Sequence, residues 1–234
     1  MGRDRTGMQR MGEGLFIVGR LGFVPSQART APTKERGTEV GMEEDNRMTL
    51  HHFTSPYYLP SILTERRLMT TLSEIEFPRA GEPYVLWLTT DPWKGDRREK
   101  YPSSPHTDGM DKTGIRFTLR LPKAEVMRWK WFAKERGATD KAISALNRAS
   151  KQTMGNWYVI EREVPSEEWS EVTDTETGHE IPQSVWPAIA ELLPKWQAIA
   201  STIQCGKGSV TWLPGRMIPA YNELVSEVLE IIRH

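Results

Sequence analysis

Leu50-His51-His52-Phe53-Thr54-Ser55-Pro56-Tyr57-Tyr58-Leu59-Pro60-Ser61-Ile62-Leu63-Thr64-Glu65-Arg66-Arg67-Leu68 sets a polar strand end directly before an amphipathic helix. A His and a hydroxyl at such a junction suit a ligand cradle. Leu59, Ile62 and Leu63 recur at helical spacing and Leu68 closes the turn, so this helix buries one face and leaves Glu65, Arg66 and Arg67 solvated. Its start is expected at Ser55-Pro56, where Ser caps and Pro suits a first turn.

Working outward, three more strands are expected. Tyr84 to Thr90 is almost wholly β-branched, aromatic or aliphatic and lies between Gly81-Glu82-Pro83 and Asp91-Pro92. Ile115 to Leu121 alternates apolar residues with Arg116, Thr118 and Arg120, and Pro122 ends it. Trp157 to Val164 is the fourth, and strict alternation along it puts Glu161 and Glu163 on one side. Between the second and third strands, residues 91 to 113 read as a polar loop, with Lys94, Arg97, Arg98 and Lys100 between Trp93 and Tyr101. Two helices with basic outer faces follow the third strand, one from Lys123 stopped at Gly137 and one over Asp140 to Ser150. Past Val172 the pattern changes to a helix over Pro182 to Ala200, interrupted at Pro194, and another over Pro219 to Ile232. The sequence thus predicts an α+β fold, with a core over 47–172, a helical appendage over 173–234 and an N-terminal extension over 1–46. That extension, rich in Gly, Arg, Thr and charge, reads either as disordered or as the product of a mis-assigned start codon.

Composition narrows the function classes. The 234 residues carry 31 basic and 31 acidic side chains, so no global field favours nucleic acid or an anionic membrane, and a nucleic-acid partner must use a local patch. One cysteine, Cys205, excludes an internal disulfide framework and a multi-cysteine zinc site. Adjacent His51 and His52 point to opposite faces of a strand and the other histidines lack zinc-like spacing, so no metal is expected. No apolar run reaches the length of a spanning helix. The short stretch Gly14 to Val24 is broken by Arg20 and followed by no small-residue cleavage site, which points to a cytoplasmic protein.

Leu50, His52 and Thr54 resemble the Leu-x-His-x-Thr-like first strand of the ADP-ribosyltransferase fold, particularly the DarT-type toxins and the tRNA 2′-phosphotransferases. The resemblance covers about residues 48 to 172, and the whole chain is also similar to uncharacterised proteins of actinobacterial phages. It implies a split-sheet core that binds NAD and transfers ADP-ribose to a macromolecule, with single-stranded nucleic acid as one candidate acceptor. His52 would then hold the nicotinamide ribose, and Thr54 would support that ribose or the adenine side. Trp87, Thr89 or Thr90 would orient the nicotinamide, and Glu161 or Glu163 would be the catalytic acid. In the polymerase branch the Glu stands at the position of Trp157, so here either the acid is displaced along the strand or both carboxylates form a solvated strand edge. Two other readings stand beside this one. A non-catalytic, phage-derived protein would use its nine tryptophans or its C-terminal helices to block a host protein, and phosphotransfer from 2′-phosphorylated RNA shares the fold.

Overall fold

A computed structural model describes residues 46–72, 83–92, 113–149, 153–202, 204–205, 211–212 and 217–234. Most of the N-terminal extension and the basic loop around residues 94–100 lie outside the described residues. In chain order the elements are β1 (Arg47–Thr54), α1 (Leu59–Glu65), β2 (Arg67–Leu68), β3 (Thr71–Leu72), β4 (Tyr84–Thr89), β5 (Ile115–Pro122), β6 (Met127–Arg128), α2 (Trp129–Glu135), α3 (Asp140–Ala149) and β7 (Trp157–Ile160). They continue with β8 (Val164–Pro165), β9 (Trp169–Asp174), α4 (Trp186–Ala190), α5 (Leu193–Ala200), β10 (Gln204–Cys205), β11 (Thr211–Trp212) and α6 (Ile218–Arg233).

The main sheet runs β6-β7-β4-β1-β5-β9, with β3 also paired to β4, and every pairing is antiparallel. The class is therefore α+β. β1 and β5 are registered from Arg47 opposite Pro122 to Thr54 opposite Ile115. β1 and β4, by contrast, share the single registered pair His51 and Thr89. The sheet is thus firmly laddered on one side of β1 and barely laddered on the other.

Because opposed residues share a face, β1 sends Leu50, His52 and Thr54 one way, with Leu119, Phe117 and Ile115. That face carries the main core. Leu59 and Leu63 of α1, Trp186 and Ile189 of α4, Trp196 and Ile199 of α5, and Tyr221, Leu224 and Val228 of α6 pack there against Leu50, Leu86, Leu88, Phe117 and Ile160. The other face carries a second, smaller core, in which Trp129, Phe132 and Ala133 of α2 pack on Val85, Trp157 and Val159.

The junction after β1 folds as the sequence predicts. Ser55 Oγ accepts a hydrogen bond from Tyr57 N at 3.3 Å and caps a 3₁₀ turn over Pro56–Tyr58 that leads into α1. α1 ends at Arg66, whose left-handed backbone (φ 52°) reverses the chain into β2. Its guanidinium lies over the Trp186 ring, 5.9 Å from the centroid.

Three expectations need correction. The boundary expected at Val172 falls inside β9, and the helices after it form a layer of the main core, not an appendage. The helix expected from Lys123 begins only at Trp129, because Met127 and Arg128 are taken by pairing with β7. The strand expected to reach Val164 stops at Ile160, so residues 161–163 do not obey strand alternation. β9 itself, Trp-Ser-Glu-Val-Thr-Asp, was not expected as a strand.

Asp174 at the end of β9 is only 1 % exposed and receives Arg233 Nε from the last turn of α6 at 3.0 Å. The same carboxylate accepts from Glu176 N and Thr177 Oγ1, in a turn completed by Gly178 at φ 75°. Leu224→Ala, in a helix that an appendage could lose cheaply, is expected to reduce unfolding free energy by about 2–5 kcal/mol in a single urea transition. A separate early transition with the sheet signal intact would instead mark α6 as an independent unit.

Candidate functional site

The alternation along β1 splits the expected site residues between the two faces. His52 and Thr54 lie on the face of the helix layer. Thr89 lies with His51 on the opposite face, and Trp87 shares that face by alternation along β4. The structure therefore does not bring His52, Thr54, Trp87 and Thr89 to one side of the sheet.

His52 has a structural partner. Its Nδ1 lies 2.9 Å from the carbonyl oxygen of Trp87. A carbonyl only accepts, so Nδ1 carries the proton and Nε2 keeps its lone pair. Burial lowers the pKa of this imidazole, and the bond to the Trp87 carbonyl opposes that shift. The side chain thereby joins β1 to β4 where backbone pairing is sparse. Thr54 is buried beside Ser55, whose hydroxyl lies 3.3 Å from the Tyr221 hydroxyl of α6. The Trp87 ring sits 4.5 Å from Trp129 and 5.7 Å from Trp157, centroid to centroid, and its Nε1 is buried without an acceptor among the described residues. It is a core residue of the second face.

The two expected acids sit in surface ion pairs with different partners. Glu161 pairs with Arg136 just beyond α2, and Glu163 pairs with Arg67 of β2 at 3.0 Å. Since β7 ends at Ile160, the expected common orientation of the two carboxylates has no strand to enforce it.

A different polar cluster gathers on the face of His51. Register aligns His51 of β1, Thr89 of β4 and Trp157 of β7 in one row across the sheet. On the other side of His51, Thr118 of β5 stands opposite it, and Glu171 of β9 stands opposite Thr118. His51 Nδ1 is 3.2 Å from Thr118 Oγ1, which in turn is 3.4 Å from Glu171 Oε2. An ionised carboxylate only accepts, so the Thr118 proton goes to Glu171 and the hydroxyl oxygen accepts from His51 Nδ1–H. Nε2 of His51 is again left as the acceptor. Arg116 binds Glu171 at 3.3 Å and Thr173 Oγ1 at 3.0 Å through Nη2, and the Pro92 carbonyl at 2.9 Å through Nη1. Thr89 Oγ1 accepts from Asp91 N at 3.0 Å and shapes the end of β4.

His51 is 8 % exposed. Burial, reinforced by the positive charge of Arg116, lowers its pKa to about 4, while Glu171 and Asp91 pull weakly the other way. The imidazole is therefore neutral at physiological pH and offers a fixed lone pair. Such a set can accept a hydrogen bond from a ligand hydroxyl, present a carboxylate to developing positive charge and fix both through the Thr118 hydroxyl. Among the described residues no cluster of three or more His, Cys, Asp or Glu side chains could hold a metal ion.

The sequence pattern places Arg116 on the polar side of a strand but gives no sign of Glu171 or of the role of His51. The polar face of β5 was visible as Arg116, Thr118 and Arg120. The signal in β9 is masked by an irregularity: Thr118 opposes Glu171 and Leu119 opposes Trp169, leaving Ser170 unmatched. Simple alternation across that bulge assigns Trp169 to the wrong face.

The depressed histidine pKa fixes a pH dependence. Between about 4 and the ordinary 6.5 of a free imidazole, the unfolded chain binds more protons at position 51 than the folded one, so stability rises with pH through that window and levels off above it. Urea unfolding of the wild type and His51→Gln from pH 4 to 7 is expected to show a shallower rise in the variant. Parallel profiles would mean that His51 titrates normally in the folded protein.

No family model, no curated protein and no solved structure matches the chain.

Proposed function

We propose that the chain is an ADP-ribosyltransferase-like domain that binds NAD and transfers ADP-ribose to a macromolecule. The observation that carries this reading is the row His51, Thr89 and Trp157, which crosses the sheet where β1 and β4 share only one registered pair. A split-sheet core needs such an opening, and a neutral imidazole with a directed lone pair beside it suits a ribose hydroxyl. The Leu50, His52 and Thr54 pattern contributes differently: His52 is a positioning residue that ties β1 to β4, and the ligand-facing histidine is His51.

NAD brings an activated nicotinamide–ribose bond, whose cleavage develops positive charge at the ribose carbon and lets an acceptor nucleophile take its place. In this reading His51 orients the ribose through Nε2, Thr89 lines the strand end, and Arg116 neutralises nearby negative charge. Glu171, on the same face, offers the carboxylate that stabilises the developing charge and accepts the acceptor's proton. Glu161 and Glu163 lie past the end of β7, outside the chain of polar groups that joins His51 to Glu171, and this reading gives them no part.

Trp157 favours a second reading. It takes the position in the row at which the polymerase branch carries its acid, and it is buried in the second core. A domain that keeps the fold but has lost the acid would bind and block a host protein without turnover.

Labelled NAD incubated with the purified chain and, separately, cell protein, single-stranded DNA and RNA distinguishes the two. Transfer should fall about 10²- to 10⁴-fold in Glu171→Gln and strongly in His51→Ala, while Glu163→Gln stays within a few-fold of wild type. Loss in Glu163→Gln with Glu171→Gln unaffected would move the chemistry to the opposite face, and absence of NAD binding would leave the interaction protein.

A further inference from the structure

Trp131 is 68 % exposed, more than Met69, Tyr84 or Ile218, the other exposed large apolar side chains among the described residues. No other exposed large apolar side chain among the described residues lies on α2. Its neighbours on α2 are Lys130 and Lys134, both exposed and without a carboxylate partner among the described residues, and Arg128 at the start of the helix. Glu135 is the only acidic residue on the helix, and Arg136 just beyond it is already paired with Glu161. Helical spacing puts Trp131 and Lys134 on one edge, and Arg128, still extended at the end of β6, reaches the ring from the other side.

The ring is also held in place. The Arg128 guanidinium lies 6.0 Å from the centroid of Trp131 and 5.8 Å from that of Tyr158, and its Nε donates to the Tyr158 hydroxyl at 3.1 Å. Tyr158 thus fixes Arg128, and Arg128 supports one side of the indole. The buried side of the same helix, Trp129 and Phe132, packs in the second core with Trp157, the residue that ends the row from His51 and Thr89.

We infer that the outer edge of α2, centred on Trp131 with Arg128, Lys130 and Lys134, is a docking surface for single-stranded nucleic acid. This inference deepens the proposed transfer reaction by naming the class of acceptor, and rests on that reading only for the consequence of docking. An isolated flat ring between cations matches one unpaired base with phosphates on either side, whereas a protein contact would surround the Trp with further apolar residues. A base in a duplex is already stacked and paired, so the strand must be single. Charge complementarity is local, in keeping with a chain whose 31 basic and 31 acidic residues cancel overall. α2 packs on the His51, Thr89 and Trp157 face through Trp129 and Phe132, whereas Arg128, opposite Tyr158, sets the Trp131 edge at the β6 margin of the sheet.

Fluorescence anisotropy of labelled single-stranded DNA and RNA oligonucleotides, titrated with the full chain in the absence of NAD, tests the surface directly. Trp131→Ala should weaken binding roughly 5- to 150-fold, the worth of one base–aromatic stack, and Trp131→Phe should restore most of it. Lys134→Ala should reduce the slope of log affinity against log salt by about 0.7 if it meets one phosphate. Thermal unfolding checks that these exposed substitutions leave the fold intact. Unchanged affinity in Trp131→Ala, equal binding of a polyglutamate control, or no oligonucleotide binding at all would each overturn the inference. Oligonucleotide binding without NAD binding would leave this surface standing and remove the transferase reading alone.

Discussion

The antiparallel pairing of β1 with β5 is the constraint on which the rest of the structure depends. It runs the full length of β1 and dictates which side each β1 residue faces. Leu50 is thereby committed to the helix layer and His51 to the polar face, and a shift of one residue would exchange them. The two adjacent histidines therefore serve different ends. His52 uses its side chain to join β1 to β4 where backbone pairing gives out, and His51 joins a chain of polar groups that ends at Glu171.

Each face then acquires a distinct role from what covers it. α1 and the C-terminal helices bury the leucines and aromatics of the first face and supply most of the hydrophobic stabilisation. On the second face α2 covers only the β4, β6 and β7 side, where the Trp87, Trp129 and Trp157 rings meet. His51, Thr118, Glu171 and Arg116 lie beyond that core and are joined in sequence by hydrogen bonds and an ion pair. Among the described residues no helix is long and apolar enough to cross a membrane.

Strand and helix existence was legible wherever periodicity was sustained over several residues, as in Tyr84–Thr89 and Ile115–Pro122, and the Ser55-Pro56 cap was legible from its chemistry. What escaped depended on tertiary partners. The pairing of Met127 and Arg128 with β7 displaced the start of a helix that periodicity alone would begin earlier. β9 contains Ser, Glu, Thr and Asp and becomes a strand because β5 offers it an edge. The candidate site was half visible, since the polar face of β5 could be read, but its acid sits on the strand with the irregular register. The Leu-x-His-x-Thr-like pattern singles out His52, whereas alternation puts its neighbour His51 on the polar face.

The clasp between Asp174 and Arg233 has a dynamic meaning. The final turn of a helix ordinarily frays at almost no cost, and such local openings are independent of the rest of a protein. Here, fraying of α6 would strip the guanidinium from a carboxylate that is only 1 % exposed and leave that charge with hydrogen bonds from Glu176 N and Thr177 Oγ1 but without its cation. The last turn is thus tied to the end of β9, so that opening it carries the cost of breaking this ion pair.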